Sequence, residues 1–71
     1  MNENKEIYFK LNMRLVEINK TRNPEIKESR LLRLMEDIKD IYDLPRSKNS
    51  IGINLYNKAK ESLLDIQKEV S

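Results

Sequence analysis

The chain is predicted to fold as a small, all-α, antiparallel three-helix bundle, and three observations predict it. Among its 71 residues are one glycine and two prolines, so a helix can break in few places. Those places fall about a third and two thirds of the way along, at Asn23-Pro24 and Leu44-Pro45. Between them, apolar residues recur at helical spacing, and no window alternates in the way a half-buried strand would. The whole chain, residues 1–71, reads as a single domain.

The first helix is expected over about residues 3–21. Tyr8, Leu11, Leu15 and Ile18 repeat at 3-4-3 spacing with Ile7 beside them. Asn23-Pro24 then opens a second helix, over about 24–43. Asparagine accepts from free N–H groups at a helix start, and a first-turn proline has no N–H to leave unpaired. This helix carries Leu31, Leu34, Met35, Ile38, Ile41 and Tyr42 at i, i+3, i+4, i+7 spacing. Leu44 cannot easily stay helical before Pro45. Arg46 to Ser50 is therefore a polar connector, with Ser47 or Ser50 as the cap of a third helix over about 50–70. Leu55, Tyr56, Ala59, Leu63, Ile66 and Val70 form its stripe. Leu11, Leu15, Leu34, Ile38, Ile41, Leu63 and Ile66 are the expected core. Short connections make sequential helices antiparallel.

Composition narrows the chemistry. With no cysteine and no histidine, the chain offers no disulfide, no zinc site of the usual type and no Ser-His or Cys-His nucleophile. Glu36, Asp37 and Asp40 are close enough on one helix to suggest a divalent cation, but Arg33 and Lys39 lie among them and no glycine-bearing calcium loop is present. Three short helices hardly enclose a substrate pocket. Neither enzymatic activity, metal, cofactor nor small-molecule substrate is expected. No apolar run approaches the roughly 18 residues of a membrane span. The polar start, Met1-Asn2-Glu3-Asn4-Lys5-Glu6, has no signal-type apolar core, so a cytoplasmic protein is expected. Frequent Lys, Asn, Ile and Glu suggest AT-rich coding sequence, as in a low-GC bacterium or its phage.

A domain this short buries only about 60% of its unfolded surface. Without staples it needs very regular packing, or self-association to complete its core. The first helix carries apolar surface to spare. At about 100° per residue, Phe9, Met13 and Val16 lie on a second arc, centred roughly 150° from the Leu11–Leu15 stripe. Ile53 and Leu64 lie off the main stripe of the third helix, and Leu32 off that of the second. Scattered exposed apolar residues are ordinary. Three stacked at i, i+4, i+7 instead form a patch, and phenylalanine and methionine favour interface centres. Phe9, Met13, Val16, Ile53 and Leu64 are therefore the candidate contacts for another protein or a second copy of the chain.

The charge pattern suggests an alternative. Charged residues are 37% of the chain with a net charge of only +2. Arg46, Lys48, Lys58 and Lys60 follow Pro45 with no acid before Glu61, and Lys20, Arg22, Lys27, Arg30 and Arg33 form a second basic group. Arg46, Lys48, Asn54, Asn57 and Lys58 are candidate nucleic-acid contacts, since asparagine can read adenine. Against them stand the small charge excess and the lack of a short glycine-containing turn.

The segment Asn23-Pro24-Glu25-Ile26-Lys27-Glu28, followed by Leu31-Leu32 and later by Leu55-Tyr56, resembles the enterocin-A-type bacteriocin immunity proteins. The resemblance spans about residues 8–66, without the fourth helix and C-terminal tail of that family. It implies an antiparallel helical bundle in the cytosol that protects a cell from a pore-forming peptide. The expected function is a non-catalytic protein-binding module, of the antitoxin, immunity or phage-inhibitor kind. A small nucleic-acid-binding regulator is the alternative.

Overall fold

Three helices fill a computed structural model that describes the backbone of residues 2–70 and the side chains of residues 5–68. They are α1 (Asn2–Asn19), α2 (Pro24–Tyr42) and α3 (Ser50–Val70), and no strand occurs among the described residues. All three helix pairs touch. The Cα trace measures 40 × 22 × 14 Å. The side chain of Val70, expected on the α3 stripe, lies outside the described residues.

The helix ends show how local chemistry sets the chain's path. α1 stops two residues earlier than its periodicity suggests, because its last turn tightens. Lys20 N–H donates to Glu17 O at 3.1 Å and Thr21 N–H to Ile18 O at 3.0 Å. The chain then extends into Asn23, whose Oδ1 accepts from Glu25 N–H at 2.9 Å and Ile26 N–H at 3.1 Å. Pro24 occupies the first helical position, where its missing donor costs nothing. α2 closes at Asp43, which is left-handed at φ 54°. Leu44 N–H reaches back to Lys39 O at 2.8 Å and Asp43 N–H to Asp40 O at 3.4 Å. These are the two bonds of a Schellman closure.

The cap of α3 corrects the expectation. Neither Ser47 nor Ser50 caps it; Asn49 does, accepting at Oδ1 from Ile51 N–H at 2.9 Å and Gly52 N–H at 3.0 Å. Asparagine ranks with the strongest capping residues, and its longer side chain spans to two donors. Ser47 instead braces the connector, donating from Oγ to the Tyr42 carbonyl and accepting from Asn49 N–H. Asn49→Ala should therefore cost about 1 kcal/mol, and Ser50→Ala little. A denaturation midpoint more sensitive to Ser50 than to Asn49 would contradict this assignment.

The core is aliphatic. Leu11, Leu15 and Ile18 of α1 meet Leu31, Leu34, Met35 and Ile38 of α2 and Leu55, Ala59 and Ile66 of α3. Ile7, Tyr8, Tyr42, Leu44, Tyr56 and Leu63 pack around them half-buried, so Leu63 is a margin residue rather than the centre expected of it. Ile41 is a clearer departure, at 49% exposed. The Arg14–Asp37 ion pair at 2.9 Å and the Arg30–Thr21 hydrogen bond at 3.4 Å mark the antiparallel register of α1 and α2 at the surface of the aliphatic core. One further turn of that register brings Ile41 level with Lys10, which offers no apolar cover.

Tyr42 joins the connector to the start of α3. Its Oη is the one buried side-chain polar atom without a hydrogen-bond partner among the described residues. Burial pushes its phenol above the ordinary value, and nearby Tyr8 adds to the rise. Because the folded pKa lies above the unfolded one, the contribution of this group to stability is complete below pH about 10 and declines as pH rises through the folded value. Tyr42→Phe removes a buried hydroxyl left unpaired, a defect worth about 1–3 kcal/mol. The variant should melt no lower than wild type at pH 7 and lose less stability between neutral pH and pH about 11. A lower melting temperature at pH 7 would mean that the hydroxyl has a partner.

Candidate functional site

The surface of α1 follows from its periodicity. Leu11, Leu15 and Ile18 take the inward stripe, so residues about half a turn away must face outward. Phe9 is 63% exposed, Met13 42% and Val16 40%. They stack along one face for about two turns, and the core closes without them. Ile53 and Leu64 are also exposed on α3, as is Leu32 on α2.

The five candidate apolar residues do not form one surface. Phe9 and Met13 line a groove of about 550 Å³ between α1 and α2, floored by the edge of Ile18. Its walls carry Lys10, Arg14, Arg30 and Arg33, with Glu17 as the single carboxylate. Ile53 borders a different depression of about 370 Å³, where Leu44, Pro45 and Tyr56 meet Lys39 and Lys48. Leu64 lines neither, and Val16 extends the α1 stripe beside the first groove. A third hollow joins Phe9 and Tyr8 of α1 to Ile51 and Asn54 of α3. Phe9 thus stands on a ridge with a groove on each side.

Electrostatics differ along the first groove. Asp37 of α2 receives Arg14 across the helix interface at 2.9 Å and Arg33 from its own helix at 3.7 Å. Glu17 sits 3.8 Å from Lys20. Lys10 has no carboxylate partner among the described residues, and Arg30 is held only by the Thr21 hydroxyl. Asp37 is thus committed to arginines, and among the described residues no three acidic side chains converge where a metal ion could bind.

The basic candidates are all exposed, yet they too divide. Lys48 borders the depression by Tyr56, while Asn54 faces the α1 side of α3. Asn54, Asn57 and Lys58 share a face of α3 at i, i+3, i+4. Arg46 lies on the connector.

Sequence reading did not connect Arg30 and Arg33 with the α1 stripe. They belong to the second basic group of the sequence, and only the packing of α2 on α1 brings them to the groove that Phe9 and Met13 also line, Arg30 toward its Thr21 end and Arg33 toward Ile18. Ile26 and Ile51, outside the candidate set, are exposed as well, at 46% and 45%. No helix among the described residues is long and apolar enough to cross a membrane. Compared with protein-family models, with curated proteins and with solved structures, the chain finds no match.

Proposed function

We propose that this chain is a non-catalytic protein-binding module that acts by presenting the outer face of α1 to another protein. One observation carries the reading. Phe9, Met13 and Val16 form a stacked apolar stripe left in solvent by a core that is complete without them. Burying such side chains contributes up to roughly 1.5–3 kcal/mol each. A small domain gains much from a partner that supplies the missing cover. The resemblance of Asn23–Glu28 and Leu55-Tyr56 to bacteriocin immunity proteins supports an inhibitory or protective version of this role, in which binding itself is the activity.

The test is the double variant Phe9→Glu/Met13→Glu. Both positions are exposed, so helicity and melting temperature should stay near wild type. Wild type used as bait in extract of its native host should recover a partner that the double variant loses. Sedimentation of the two forms separates self-association from binding to a different protein. Unfolding of the double variant would place Phe9 in the core after all, and recovery of the same partner by both would remove the stripe from the interface.

A further inference from the structure

We infer that the partner segment taken up by the α1–α2 groove is an acidic amphipathic helix. The inference rests on the protein-docking reading and specifies the chemistry of what docks. The groove joins two features that a ligand must match at once. Its apolar wall, Phe9 and Met13 with the edge of Ile18, calls for aliphatic or aromatic side chains. Its rim sets Lys10, Arg14, Arg30 and Arg33 against one carboxylate, Glu17. Asp37 offsets part of the charge of Arg14 and Arg33, which leaves Lys10 and Arg30, on opposite walls, as cations without an acidic partner among the described residues.

Shape selects among anionic ligands. From Phe9 to Ile18 the groove runs about 14 Å along α1, or two and a half helical turns. That length accepts apolar anchors at i, i+4 and i+7 of an incoming helix, with acidic residues flanking them toward either wall. A flat bilayer surface would take up Phe9 on its ridge but leave the edge of Ile18 at the base of the groove uncovered. A nucleic-acid backbone would satisfy the cations but leave the apolar wall uncovered. A second copy docked groove to groove would, under two-fold symmetry, set the cationic rim against itself.

The test uses two model peptides of about 21 residues, long enough to be helical, with the same leucine face and either glutamate or lysine elsewhere. Titrated against the full chain, the acidic peptide should bind at least roughly tenfold more tightly than the basic one and weaken as salt rises. Lys10→Glu/Arg30→Glu should abolish or reverse the preference, and Phe9→Glu/Met13→Glu should remove binding of both peptides. Lys10→Gln/Arg30→Gln should show an intermediate preference. Both rim variants leave the Arg14–Asp37–Arg33 cluster intact, and circular dichroism confirms their fold. Equal binding of the two peptides, binding of neither, or stronger binding to phosphatidylglycerol vesicles or duplex DNA than to the acidic peptide would overturn the inference. The native-host capture separates the two levels. A partner lost with Phe9→Glu/Met13→Glu but kept with Lys10→Glu/Arg30→Glu leaves docking standing and removes the acidic helix. A partner indifferent to both removes docking itself.

Discussion

Leu34→Ala should leave the chain largely unfolded at room temperature, and Ile38→Ala should do nearly the same. Both side chains are almost wholly excluded from solvent, at 0% and 1% exposed, in the middle turns of α2, which packs against both α1 and α3. Truncating a buried leucine or isoleucine costs about 2–5 kcal/mol, the lost transfer energy adding to the cavity left behind. The domain has little to spare. Below about 70–80 residues a single core rarely supplies more than about 3–5 kcal/mol, and here no disulfide adds to it. A circular-dichroism melt of either variant should show a low, broad transition or none. Leu32→Ala, on the same helix but exposed, should melt close to wild type. A near-wild-type transition for Leu34→Ala would mean that α2 packs through a different face.

The second large effect runs against helix propensity. In an ordinary helix interior, replacing glycine by alanine stabilises by about 0.5–1 kcal/mol. Gly52 has ordinary helical geometry, with no positive φ, but it is buried against Tyr42. A Cβ there would lie 2.6 Å from Tyr42 Cγ, 2.7 Å from its Cβ and 3.0 Å from Cδ2. Two of these atoms are at the root of the side chain, so turning the ring does not relieve the overlap and the helices must part. Overpacking of this kind costs about 1–3 kcal/mol, which outweighs the propensity gain. Gly52→Ala should therefore lower the denaturation midpoint. A raised midpoint would show that the start of α3 and the end of α2 are not packed this closely.

Gly52 illustrates what sequence can and cannot show. Glycine near a helix start suggests loose local structure, whereas here its missing Cβ is what lets the Tyr42 ring close the end of the bundle. The contact depends on the α2–α3 register, which no local pattern specifies. The helices themselves were legible because Asn23-Pro24 and Leu44-Pro45 act through local sterics and capping, and because the stripes through Leu11–Leu15, Leu34–Ile38 and Leu55–Ile66 are strongly periodic. Ile41 was misplaced for a related reason. It has the right phase on α2, but burial requires an apolar neighbour opposite, and the register supplies Lys10. The same limit shaped the reading of the surface. Phase alone places Phe9, Met13 and Val16 outside the core, while the arginines that α2 adds to the same groove depend on which face of α2 meets α1. Ile53 and Leu64, the outlying candidate contacts, lie apart from that stripe: Ile53 borders a separate depression, and Leu64 lines neither groove.

The central claim is that the outer face of α1 is where this protein meets its partner, and site-specific photo-crosslinking in cells of the native host tests it most directly. A photoreactive aromatic residue would replace Phe9 or Met13 in turn, and Lys60, exposed on α3, would serve as the control position. The account predicts one shared crosslinked species from positions 9 and 13, absent from position 60. Crosslinking from position 60 but not from 9 or 13, or no crosslinked species from any of the three, would contradict it.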